Sequence, residues 1–380
     1  MGKWEMVRLG DAATFVNGYP FKPSEWTTQG LPIIRIQNLT ESSNVVNHYD
    51  KAYNSRYEIN DGDILISWSA SLGVYEWNKG KALLNQHIFK VVFDKINFDK
   101  RFFKYVVEQK IEEMIRFTHG STMKHITKKY FDEIQVFCPP LTTQQKIADT
   151  LDRANALIEK RKAQIAKLDL LVKSQFVEMF GDPVTNPMGW DMRTIASLAR
   201  VETGATPNRE NSNYFGGNIP WIKTGEVDDC YIFDAEETIT EQAINETNCK
   251  ILPVDTILVA MYGQGKTRGK AAVMKLEASI NQACAAILPS DSYITTYLFI
   301  TLLMSYESLR DLGRGGNQPN LNLSIVKNYV VPLPPLPLQA QFATFVERTE
   351  VQKAQLKKSI ALLELNYKSL MQKCFSGEML

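Results

Sequence analysis

The chain is written twice. Pro139-Pro140-Leu141 opens a long charged segment with an apolar stripe, and Pro334-Pro335-Leu336 opens another 195 residues later. At that offset Gln144 answers Gln339, Ile147 answers Phe342, Ala148 answers Ala343 and Arg153 answers Arg348. Ile165 then answers Ile360, Leu168 answers Leu363 and Phe180 answers Phe375. The preceding stretches also match: Trp4-Glu5-Met6 with Trp190-Asp191-Met192, Asn85-Gln86 with Asn281-Gln282, and residues 120–126 with 315–321. A near-constant offset over most of a chain marks a duplicated unit. Here the unit is a globular domain followed by a long helix. Two copies in one polypeptide make a pseudo-twofold molecule, an arrangement suited to a target that itself has two halves.

The 380 residues suffice for two or three domains with substantial cores. No apolar run approaches the roughly 20 residues of a membrane span. Met1-Gly2-Lys3-Trp4 lacks the apolar stretch of a signal peptide, so the expected location is the cytoplasm. Cys138, Cys230, Cys249, Cys284 and Cys374 are odd in number and scattered, which fits free thiols in a reducing compartment. Neither they nor His48, His87, His119 and His125 show the clustered spacing of a metal site. A net charge of +1 excludes a general polycation but not one basic face.

The expected fold class is α+β: two similar globular domains, each followed by a long helix, in an internal repeat. The expected boundaries are 1–140 and 183–336 for the domains, and 141–182 and 337–380 for the helical spacers. Short β-like runs at 31–36, 62–68 and 87–93 are answered by 219–222, 256–260 and 283–288, and helical spacing runs from Phe98 to Phe117. In the first spacer apolar residues recur at alternating intervals of three and four, through Ile147, Leu151, Ile158, Ile165, Leu168 and Val172. Phe342, Val346, Leu356, Ile360, Leu363, Tyr367 and Leu370 do the same in the second. Pro139-Pro140 stops the first helix from starting earlier, Thr142 or Thr143 offers an N-cap, and Gly181-Asp182-Pro183 ends it. About 39 residues give a rod of roughly 58 Å. An apolar seam left in water gains nothing, so the two rods are expected to pair, antiparallel because the chain must double back. Arg161 and Lys353 are charged intruders in the two seams, placed to fix register or simply to snorkel out.

One segment has the look of a catalytic motif. Residues 260–267, ending in Gly265-Lys266-Thr267, fit a relaxed phosphate loop after a strand. Such a loop must open a helix, whereas Ala271-Ala272-Val273-Met274 reads as another strand. A basic hairpin loop suits a nucleic-acid backbone better. The Asn-Pro-Pro-aromatic motif of amino-methyltransferases is absent, and no nucleophile–base constellation emerges. Polar sets instead recur at matched places. Arg35 and Gln37 are answered by Lys223 and Thr224, and Ser69 and Ser71 by Gln264, Lys266, Thr267 and Arg268. Gln86 is answered by Gln282; Thr122, Lys124 and His125 by Asn317, Gln318 and Asn320. Arg, Lys, Asn and Gln match base edges, and hydroxyls and lysines hold phosphates, so these are the candidate DNA-contacting residues.

At this point the chain resembles the specificity subunit of a type I restriction-modification system. The resemblance rests on the junction from Phe176 to Trp190, and on the helix starts Pro139-Pro140-Leu141 with Gln144-Gln145-Lys146-Ile147-Ala148 and Pro334-Pro335-Leu336 with Gln339-Ala340-Gln341-Phe342-Ala343. It implies a non-catalytic DNA-binding protein whose domains each read half of an asymmetric bipartite site. It implies two methyltransferase subunits docked on the helices, and restriction and translocase subunits joined through them. S-adenosylmethionine, ATP and magnesium would belong to those partners, with no cofactor in this chain. Two rivals differ in class: a stand-alone DNA-binding protein without a methyltransferase partner, and a nucleotide-dependent enzyme built on Gly265-Lys266-Thr267.

Overall fold

The computed structural model describes residues 4–117, 128–263, 265–314 and 319–376. The chain divides into two compact units, Met1–Lys160 with Ser359–Leu380, and Arg161–Lys358. Both boundaries fall inside long helices, Leu141–Phe180 (40 residues) and Leu336–Ser376 (41 residues). Each unit is therefore a globular domain with one end of each helix, rather than a domain followed by its own whole spacer.

In the first unit, Thr14–Asn17, Ile88–Val92, Ile64–Ser67 and Gly73–Glu76 form an antiparallel sheet in that order. A second sheet has the order Asn47–Tyr49, Leu31–Ile34, Ala82–Leu84, Glu58–Ile59, with Leu31–Ile34 and Ala82–Leu84 parallel. The short pair Met6–Arg8 and Gln135–Phe137 closes the domain. The second unit repeats this plan. Val201–Thr203, Cys284–Ile287, Ile257–Ala260 and Ala271–Met274 are neighbours in one sheet, and Phe215–Ile222 runs parallel to Ser279–Ile280 in another. Met192–Thr194 pairs with Val330–Pro332.

The central strands are buried at every position because both faces are covered. The pleat sends alternate residues to opposite cores. Ile64 and Ile66 join the core of Phe15, Phe89 and Phe103, while Leu65 joins that of Ile34, Ile59 and Trp77. Ile257 and Val259 likewise face Tyr297 and Phe342, while Leu258 and Ala260 face Ile222 and Met274. Gly18 and Gly204 allow the strand crossing beside each sheet. A Cβ there would lie 2.1 Å from the Asn85 carbonyl oxygen or 1.9 Å from that of Ile280.

The helix ends follow from local chemistry. Leu141–Phe180 begins one residue before the expected Thr142 or Thr143 N-cap. The amides of Thr143 and Gln144 donate to the Pro140 carbonyl at 2.8 and 3.0 Å, so Pro140 is the residue at the helix start and the threonines lie inside the first turn. The second helix starts at Leu336 and tolerates Pro337 because first-turn amides have no intrahelical acceptor. Gly181 ends the first helix at φ +77°, donating to Val177 at 2.9 Å. Among the described residues no helix is long and apolar enough to cross a membrane, and no cluster of His, Cys, Asp or Glu could hold a metal ion.

Candidate nucleic-acid interface

The two helices that carry the domains are locked by the same buried glutamine. Gln144 accepts from the Asp99 amide at 2.9 Å and donates to the Pro139 carbonyl at 2.8 Å. Gln339 accepts from the Ile294 amide at 2.9 Å and donates to the Pro334 carbonyl at 2.7 Å. Beyond the latch each helix sinks into its domain. Ile147, Ala148 and Leu151 share a core with Phe102 of the domain and with Tyr367, Leu370 and Phe375 from the far end of the second helix. In the other unit Val172, Phe176 and Phe180 share a core with Tyr297 of the domain and with Phe342 and Val346 from the near end of the second helix. Early residues of one helix meet late residues of the other and the reverse, so the helices pair antiparallel. Ile158 is buried, and Ile165, Leu168, Leu356, Ile360 and Leu363 are half-buried. The two seam intruders differ. Arg161 is exposed and bonds Gln164 at 2.9 Å within its own helix. Lys353, with 15% of its side chain exposed, bridges Asp169 at 2.7 Å and Glu350 at 2.6 Å. Burial pulls the Lys353 ammonium down, but these two carboxylates together outweigh it and hold its pKa above the ordinary value.

The matched polar loops meet at one edge of each domain. In the first, the Asn85 amide donates to Ile34 at 3.1 Å and the Trp68 amide to His87 at 3.2 Å, so the loops around residues 35–38, 85–87 and 68–71 lie side by side. In the second, Asn281 donates to Ile222 at 3.0 Å, Met261 to Ala283 at 2.9 Å and Leu321 to Met261 at 3.0 Å. That joins the loops around residues 223–226, 281–283 and 261–268 to the segment from Pro319 to Leu321. Even the turns match: the Arg35 amide is held by Asn38 Oδ1 at 3.0 Å and the Lys223 amide by Glu226 Oε1 at 2.7 Å. Residues 263–269 link two antiparallel strands and no helix follows, so the segment lacks the helix N-terminus that a phosphate loop needs.

The comparisons agree with this architecture. A family described as the type I restriction modification DNA specificity domain matches residues 1–168 and 187–365. The chain belongs to the type I restriction-modification DNA specificity family. The specificity subunit of the EcoBI type I restriction enzyme of Escherichia coli is 22% identical over 420 residues, spanning 99% of this chain and 86% of that one. That of the MjaVIII enzyme of Methanocaldococcus jannaschii is 23% identical over 388 residues, spanning 94% and 90%. The fold is similar to the crystal structure of an S subunit from M. genitalium, with a TM-score of 0.57 at 16% identity over 98% of this chain and 96% of that one. It is also similar to a chain from a structural study of complex assembly and conformational transition of the type I restriction-modification system. There the TM-score is 0.60 at 16% identity, over 100% and 98%.

Within this specificity-family chain the expected DNA-contacting residues divide by their surroundings. Ser71, Gln86, Lys266 and Gln282 are exposed on the converging loops, and Gln37 and Thr267 are half-exposed. Ser69 is buried. Arg35 lies over the Trp26 ring at 5.0 Å. Thr224 donates to Asn281 Oδ1 at 3.0 Å, and Thr206 donates to Gln282. Asn320 is paired through its main chain with Arg314. Two cations expected on DNA are engaged inside the protein. Lys223 bridges Glu237 and Glu236, both at 2.9 Å, and the hydrogen bond to Glu237 foremost holds its pKa well above the usual lysine range. Arg268 turns back onto the Pro319 carbonyl. Thr122, Lys124, His125, Gln264, Asn317 and Gln318 lie outside the described residues. Sequence reasoning missed Arg209, which stacks on Phe215 and Trp221 at 4.8 and 4.9 Å while paired to Glu237 at 2.6 Å. It also missed Tyr306 and Arg310, which support the 263–269 loop.

Proposed function

We propose that this chain is the non-catalytic subunit that chooses the DNA sequence for a cytoplasmic type I restriction-modification complex. Each domain presents its converging loops to one half of an asymmetric bipartite site. Two methyltransferase subunits dock on the paired helices and carry S-adenosylmethionine to one adenine in each half. Restriction and translocase subunits join through them, with ATP and magnesium. The observation that carries the reading is the repetition itself. The same latch, the same strand neighbours and the same converging polar loops occur twice, on helices paired antiparallel, and a two-part target is what such a duplication can match.

The helices would then set the unread spacer. Each rises about 60 Å at 1.5 Å per residue. Removing one heptad from each keeps the seam in phase and shortens it by about 10 Å, close to three base pairs. The test is selection of bound duplexes from a random pool by the chain co-purified with its methyltransferase subunits. Two short constant blocks with a fixed gap, and a smaller gap after heptad deletion, are expected. A single contiguous motif, or a gap indifferent to helix length, would refute the reading.

A further inference from the structure

The loop between Ile257–Ala260 and Ala271–Met274 is braced by a neighbouring helix. Arg310 Nη2 donates to the Gly265 carbonyl at 2.5 Å, and Nη1 to the Arg268 carbonyl at 3.1 Å and the Tyr306 hydroxyl at 3.0 Å. The Tyr306 hydroxyl donates to the Lys266 carbonyl at 2.7 Å. The guanidinium of Arg310 lies 5.8 Å from the Tyr306 ring centre. Three main-chain carbonyls of one loop, at residues 265, 266 and 268, are thus held by two side chains of the helix Tyr306–Asp311. Gly269 turns the loop back toward its strand at φ +90°, a left-handed conformation that favours glycine, and lies beside Tyr306 and Arg310. Arg268 adds a third tie, to Pro319 on the adjoining segment.

This bracing is not a duplicated turn. At the 195-residue offset Tyr306 and Arg310 fall on Ile111 and Ile115. The corresponding helix of the first domain runs unbroken through Lys100–Phe117, while the second is interrupted at Ser305. The outcome is selective. Arg310 spends its donors on the loop and Arg268 is turned inward, but Lys266 is left exposed with no ion pair among the described residues. Bracing the main chain of a glycine-rich loop removes the backbone share of the ordering cost that its exposed ammonium meets on binding a phosphate.

We infer that Arg310 and Tyr306 are positioning residues that hold Lys266 ready for the DNA backbone of the second half-site. The inference rests on the proposed DNA reading. It places Lys266 on a phosphate and takes Arg268 and Arg310 off the DNA.

The test is binding of a selected bipartite duplex by the chain with its methyltransferase subunits, across a salt series. Lys266→Ala should weaken binding about tenfold and lower the salt slope by about one. Arg310→Met should produce the same pair of changes. In the Lys266→Ala background it should add less than about twofold, because it acts through the same contact. Tyr306→Phe, which removes a single hydroxyl, should give a smaller loss in the same direction, and Arg310→Lys should recover part of it. Faster hydrogen exchange at residues 265–269 in free Arg310→Met is expected. Folded Arg310 and Tyr306 variants with unchanged affinity and slope would overturn the inference while leaving the DNA reading intact. Losses that multiply with Lys266→Ala would also overturn it, by marking Arg310 as an independent contact. Failure of the unaltered complex to bind any duplex selectively would overturn both.

Discussion

Replacing Gln339 by leucine strips two main-chain groups of the partner that shields them from water. The Pro334 carbonyl is buried and the Ile294 amide half-buried, and the glutamine itself is 0% exposed. An orphaned buried polar group costs about 1–3 kcal/mol. The carbonyl bears the full penalty and the half-wet amide less, so the loss should be about 2–4 kcal/mol. Gln144 holds the equivalent two groups and is 1% exposed, so Gln144→Leu should cost the same within about 1 kcal/mol. The assay is urea unfolding followed by fluorescence, where such a loss moves the midpoint by about 1 M. Each variant should lower the transition of its own unit. A loss below about 0.5 kcal/mol at both positions would show that the glutamines are spectators, and the account of how the helices are seated would fail.

Three further outcomes follow from the packing. Lys353 sits above its ordinary pKa, so its contribution is whole below the unfolded value of about 10.4 and is lost as pH rises through the folded value. The stability gap between the unaltered chain and Lys353→Met should therefore be constant from about pH 6 to 9 and shrink above about 10.5, as denaturant titrations at each pH would record. Gly204→Ala places a Cβ 1.9 Å from the Ile280 carbonyl oxygen and should cost more than about 2 kcal/mol or abolish soluble expression, whereas Gly225→Ala meets open space and should be nearly neutral. Phe342→Ala, which removes a fully buried ring packed on Phe176 and Phe180, should cost about 3–5 kcal/mol by the same unfolding measurement.

The features legible in the sequence were those that depend on neighbours in the chain. Proline pairs and Gly181 bound the helices, and the three-four spacing ran through residues that are buried near the domains, such as Ile147 and Phe342, and half-buried between them, such as Ile165 and Leu363. The offset also exposed the matched loops, because duplication preserves spacing. What escaped it depends on residues distant in sequence. Gln144 and Gln339 stood out only as a matched pair at the helix starts, because the amides that they accept from arrive from segments 45 residues away. Lys223 and Arg268 looked like free cations because Glu237 and Pro319 meet them only after folding. Tyr306 and Arg310 gave no signal at all, since the other copy has isoleucine at both places.

The most direct test of the central claim is the adenine methylome of a methylation-free host expressing this chain with its neighbouring methyltransferase subunit. A split motif is expected, with a fixed unread spacer and one modified adenine in each half. A soluble, co-purifying complex that leaves no new mark, or marks one contiguous motif, would contradict the claim that the two domains read two halves of one site.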